Sequence, residues 1–186
     1  MIKKLLSLLY QKAVGRNVII LMALDLLFML GVMPWVGKKL EAVSPDALPI
    51  DLMIPTYPPK LAVQTVQSYT EAGRALYQKI ELTADVIYPI IYGLAFACCI
   101  AWGWSKKASP QNWIYYLPLI PVFTVLADFL ENTCIVILLN QYPEPSLSWA
   151  TLAAIASGLK WTGALLSITA MIGGLFVRFS GNKGRR

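Results

Sequence analysis

The chain has 186 residues, of which 57% are hydrophobic and 14% charged. Soluble domains carry about 45–50% apolar and about 25% charged residues. Here the apolar excess gathers into four long runs, so the solvent for most of the chain is lipid. The 16 basic residues outnumber the 10 acidic ones, for a net charge of +6. Those bases flank the apolar runs, which reads as membrane topology and argues against a nucleic-acid surface.

Histidine is absent. That excludes Ser-His-Asp and Cys-His catalysis, His-ligated zinc or haem, and zincin motifs. The three cysteines, Cys98, Cys99 and Cys134, all fall within apolar spans. They read as small packing residues and do not form a disulfide framework. No pattern for a cofactor or a metal stands out, so none is expected.

In chain order, residues 1–16 pair leucines at helical spacing with Lys3, Lys4, Lys12 and Arg16, the signature of a cationic helix lying at the membrane interface. A first span follows at 18–37. Asp25 within it, and the lack of a clear small-residue cleavage site, argue against a removable signal peptide. Residues 38–59 hold Pro45, Pro49, Pro55, Pro58 and Pro59 with Asp46 and Asp51, which predicts a water-exposed loop. From Lys60 the positions Leu61, Ala62, Val66 and Tyr69 share a helical face, so an outer amphipathic helix is expected within the 38–80 segment, with a break at Gly73. That segment reads either as a lid over the bundle or as a docking surface for a partner protein.

The second span is predicted at 82–104, kinked at Pro89, and the third at 113–139 beyond a loop at 105–112. A turn at 140–148 leads to the fourth span at 149–179, and a basic tail at 180–186 closes the chain. The fold class is therefore all-α: a polytopic membrane protein with a four-transmembrane-helix bundle, an N-terminal interfacial helix and an outer helix between the first two spans, in a single membrane domain over 1–186. The N-terminal segment, the 105–112 loop and the tail hold Lys3, Lys4, Lys12, Arg16, Lys106, Lys107, Arg178, Lys183, Arg185 and Arg186 without an acid. The positive-inside rule then puts both termini in the cytoplasm. With no other targeting signal, a bacterial inner membrane is the expected location.

Every span carries a charge. Asp25 is in the first, Asp85 follows Glu81 at the start of the second, Asp128, Glu131 and Asn132 are in the third, and Lys160 is in the fourth. A charge at mid-bilayer costs about 2.5–3.5 kcal/mol even on lenient scales, so it must be paired, neutralised or used. Tyr77, Glu81, Asp85, Tyr88 and Tyr92 step by three or four along one helical stripe, as do Thr124, Asp128, Glu131, Asn132 and Ile135. Ala153, Ser157, Lys160 and Ala164 form a third stripe of mostly small residues. Meeting inside the bundle, these stripes would make one polar cluster opening outward, with Asp25 either joining it or serving a second site.

The layout of four spans, cytoplasmic termini and a long first outer loop, with Asp25 and Asp85 in the first two spans, is similar to that of the emopamil-binding and sigma-2-receptor group. The resemblance implies a bundle that holds hydrophobic amines or sterols between acids. Without a histidine, the chain does not match the isomerase members of that group.

Two readings follow for the cluster. It is structural glue that fixes helix register, or it is a ligand site. Several acids face the single Lys160, which favours an open or protonated carboxyl and hence a site. The leading expectation is a binding protein for a lipid-like or amphipathic ligand at Asp25, Glu81, Asp85, Tyr88, Tyr92, Asp128, Glu131, Asn132 and Lys160. The alternative is an accessory subunit that engages a membrane protein partner through its spans and outer helix. An enzyme or proton-coupled carrier using Asp85, Asp128 and Glu131 is the least favoured.

Overall fold

The computed structural model describes residues 1–45 and 48–180. Asp46 and the tail beyond Ser180 lie outside the described residues. Among the described residues every regular element is a helix, and four helical stretches are long and apolar enough to cross a membrane: Gly15–Val43, Glu71–Trp104, Trp113–Asn140 and Leu147–Ser180.

The helices are α1 (Ile2–Lys12), α2 (Gly15–Val43), α3 (Pro59–Ser68), α4 (Glu71–Glu81), α5 (Ala84–Trp104), α6 (Ile120–Asn140) and α7 (Leu147–Ser180). A 3-10 stretch, Trp113–Leu119, leads into α6 and contains Pro118. α5 packs against α2, α6 and α7, and α6 against α7. Ile19, Leu30, Leu165, Ile172 and Phe176 of α2 and α7 stay exposed, an outward apolar surface suited to lipid chains.

α2 departs from the sequence expectation. The sequence places the apolar span at 18–37 and a loop from 38, whereas the helix runs on to Val43. Lys38, Lys39, Leu40 and Glu41 are good helix formers, and no proline intervenes before Pro45. Pro34 is accommodated inside the helix. Its ring crowds the carbonyl four residues back, and the turn just before it, Phe28–Val32, is widened to π geometry.

The segment after α2 is not the uniformly water-exposed loop expected from its prolines. Ile50 and Tyr57 are buried together with Leu40, Ala62, Val66, Tyr69 and Tyr77, against Ile135 and Leu138 of α6 and Ala150 and Ala153 of α7. Enough apolar side chains interrupt the prolines to cap one end of the bundle. Gly73 is likewise not a break. The chain turns at Tyr69–Thr70, where the Thr70 hydroxyl accepts from the Gly73 amide at 2.9 Å as the N-cap of α4. Gly73 sits in the first turn because a Cβ there would stand 2.7 Å from the Ser44 Cβ.

At the opposite end, Cys98, Cys99 and Ala101 of α5 pack with Ala13 and Val18. Cys98, Cys99 and Cys134 are buried free thiols. Here α5 and α7 touch backbone to backbone: a Cβ on Gly103 would lie 2.8 Å from the carbonyl carbon of Gly174. Arg178 donates to the Trp102 carbonyl at 2.8 Å and stacks over the Trp102 ring, which fastens the two helices just beyond that contact.

Candidate functional site

Between the tight α5–α7 contact and the Ile50–Tyr77 cap, the helices part around a cavity of about 480 Å³. Its walls are mostly apolar, with Met29, Met33, Leu40, Phe96 and Ile168 among them. One polar zone interrupts them, made by Asp25, Asp51, Asp85, Tyr88, Tyr92, Thr124, Asp128 and Lys160. The widened turn of α2 lies directly on this wall through Met29, so the irregular backbone sits where the space is.

The charges converge here. Asp25, Asp51, Glu81, Asp85, Asp128 and Glu131 are all buried, and Lys160 is the buried base among the described residues. Six carboxyl groups therefore share one ammonium, and burial of charge without compensation is costly. How the ammonium is distributed decides the character of the site.

Lys160 serves α6. Its Nζ lies 2.5 Å from Glu131 Oε2 and 3.6 Å from Asp128 Oδ1, and it donates to the Asp51 backbone carbonyl at 3.2 Å. Neutral donors complete this group. The Tyr92 hydroxyl donates to Asp128 Oδ2 at 2.8 Å, and the Tyr57 hydroxyl donates to Glu131 Oε1 at 3.2 Å. Burial, reinforced by the Glu131 charge, pushes the Tyr57 phenol well above its usual range, so it stays a proton donor. Each carboxylate on α6 thus has a cation on one side and a phenol on the other.

The remaining carboxylates are left without a cation. One oxygen each of Asp51, Glu81 and Asp85 lies within 4.8 Å of the other two, and all three residues are buried. Tyr77 donates to Asp51 Oδ1 at 2.5 Å, while its oxygen accepts from the Ile50 amide at 2.9 Å. Asn132 does not reach a carboxylate; it donates to the backbone carbonyl of Asp85 at 2.8 Å. Both Glu81 oxygens are buried with no hydrogen-bond partner. Across the cavity Asp25 Oδ1 is also buried without one, as is Trp161 Nε1. Tyr88, half-buried, stacks on Phe28 at 6.2 Å and lines the cavity beside Asp25.

The residues singled out from sequence are therefore brought into one region from five helices, α2, α4, α5, α6 and α7. Asp25, Asp85, Tyr88, Tyr92, Asp128 and Lys160 line the cavity itself. Glu81 stands beside Asp51 and Asp85, Glu131 belongs to the Lys160 group, and Asn132 acts on backbone. Sequence reasoning missed Asp51, Tyr57 and Trp161, and did not count Tyr77 in the site. Asp51 and Tyr57 lie in irregular chain, where no helical period predicts which way a side chain faces. Tyr77 had a usable signal: it lies one turn before Glu81 on the same stripe.

No family model matches this chain, and no curated protein or solved structure matches it either. The likeness to the emopamil-binding and sigma-2-receptor group accordingly rests on layout and on Asp25 and Asp85 alone.

Proposed function

We propose that the protein is a membrane-embedded binding protein for an amphipathic, lipid-like molecule, which it holds in the cavity with its polar head at the Asp25–Asp85–Asp128 wall and its apolar body along Met29, Met33, Phe96 and Ile168. One observation carries the reading: a cavity of ligand size, about 480 Å³ and mostly apolar, whose wall includes Asp25 with a buried oxygen that nothing in the chain satisfies. Native proteins pair such atoms almost without exception, so an unmatched one on a residue of the cavity wall fits a visiting donor. In this reading the termini are cytoplasmic, α1 lies at the inner interface, and α3, α4 and the acid cluster are on the outer side, as the distribution of basic residues favours.

Two measurements test it. Reporter fusions after Lys107 should register as cytoplasmic and one after Asp51 as external; a cytoplasmic Asp51 overturns the topology. Native mass spectrometry of the protein released from nanodiscs should find one bound amphiphile per chain. Asp25→Asn should reduce its occupancy at least several-fold, with thermal stability unchanged or raised. Recovery of a stoichiometric larger protein with no bound amphiphile would replace this reading with that of an accessory subunit.

A further inference from the structure

We infer that Asp51, Glu81 and Asp85 form a binding site for one divalent cation of the oxygen-seeking class, Mg²⁺, Mn²⁺ or Ca²⁺. The site shares Asp85 with the proposed ligand wall but needs no amphiphile, since Glu81 stands behind that wall.

Among the described residues, the donors near Glu81 are already used. Lys160, the buried ammonium nearby, has its contacts committed to Glu131, Asp128 and the Asp51 carbonyl. The Tyr77 hydroxyl has one proton and gives it to Asp51, while its oxygen accepts from the Ile50 amide. Asn132 is spent on the Asp85 backbone. Nothing is left for Glu81, which is 1% exposed and has neither oxygen satisfied. Both oxygens are buried beside two further carboxylates, so a partner that fits among the three would satisfy them together.

The spacing says what kind of partner. Ca²⁺ holds oxygen ligands about 2.3–2.6 Å away and Mg²⁺ about 2.0–2.1 Å away, so two donors on one ion are separated by at most roughly 5 Å for Ca²⁺ and roughly 4 Å for Mg²⁺. With one oxygen from each within 4.8 Å of the others, the three carboxylates fit the larger ion as they stand and would draw in slightly around a smaller one. An all-oxygen, all-anionic set selects hard cations over those that prefer imidazole or thiolate. Tyr77 supplies outer support by fixing the Asp51 carboxylate, as ligand-orienting groups do in metal sites. Asp51 and Asp85 also line the cavity, which gives an ion a route to Glu81 and leaves room for the waters that complete its shell.

The full chain, purified in detergent and stripped with a chelator, is titrated with Mn²⁺ while the electron paramagnetic resonance signal of the free ion is followed. One Mn²⁺ per chain should bind, be displaced by Mg²⁺ or Ca²⁺, and raise the melting temperature. Glu81→Gln should weaken binding at least tenfold, and Glu144→Gln, at an exposed loop acid, should leave it unchanged. Should Glu81→Gln fail to fold, Asp51→Asn serves the same purpose with the same expected loss. A wild-type chain that takes up no stoichiometric Mn²⁺ overturns the site, as does a folded Glu81→Gln or Asp51→Asn variant that binds like wild type.

Discussion

Glu131 and Glu81 are both glutamates with almost no exposure, in helical stretches that cross the same bundle, yet their surroundings differ completely. Glu131 has an ammonium at 2.5 Å on one oxygen and a phenol at 3.2 Å on the other. Glu81 has no ammonium and no hydrogen bond to either oxygen, and two further carboxylates stand within 4.8 Å. Charge that is matched where it is buried acts as structure, and removing its partner strands it. Charge that is unmatched at equal burial works against folding unless something binds there, so the unmatched group is the better guide to function.

The largest effect should come from stranding the matched group. Lys160→Ala leaves Asp128 and Glu131 buried without a cation and should cost about 3–5 kcal/mol in denaturant titrations of the detergent-solubilised protein. Adding Glu131→Gln or Asp128→Asn should recover part of that loss. Strict additivity in both double variants would show that Lys160 has another principal partner.

Next is the support on the unmatched side. Tyr77→Phe takes a donor from Asp51 and an acceptor from the Ile50 amide in a fully buried place, and should cost about 1–3 kcal/mol. An effect near zero would mean that the Ile50–Leu52 turn is not held by this hydroxyl.

The sharpest contrast has the smallest magnitude. In the presence of chelator, Glu131→Gln should destabilise, because it weakens a charge-assisted contact, whereas Glu81→Gln should be neutral or stabilising by up to about 1 kcal/mol, because Glu81 has no such contact to lose. The sign of the difference between the two melting temperatures is the result to read. Equal losses would erase the distinction between the two glutamates.

The sequence signalled one of these two groups far better than the other. The acids of α5 and α6 sit on regular helices, where a step of three or four residues fixes a common face, and the length of the apolar runs fixes how many helices cross. Asp51 was invisible in that sense. It lies among prolines, which signal an end to helix but say nothing of where the chain goes next, and it is buried because Ile50 and Tyr57 fold back into the cap. α2 runs beyond the 18–37 span for a related reason: the polar residues Lys38, Lys39 and Glu41 end the apolar run, but nothing in them ends a helix. Gly73 misled because a glycine has two uses, to break a helix or to admit a neighbour, and only the fold shows that Ser44 is that neighbour.

The glycine contact at the far end has a mechanical consequence. Gly103 and Gly174, with Trp104 on the Ala170 carbonyl and Arg178 on Trp102, hold α5 and α7 together at one end, while the same two helices line the cavity at Asp85–Phe96 and Lys160–Ile168. The pair is a lever with its fulcrum at Gly103. From there to Asp85 is 103 − 85 = 18 residues, about 27 Å of helix at 1.5 Å per residue. One degree of rotation about the fulcrum therefore moves Asp85 by roughly 0.5 Å, a shift comparable to ordinary thermal displacement. A few degrees of tilt would open or close the acid-lined end by more than an ångström while the fulcrum scarcely moves.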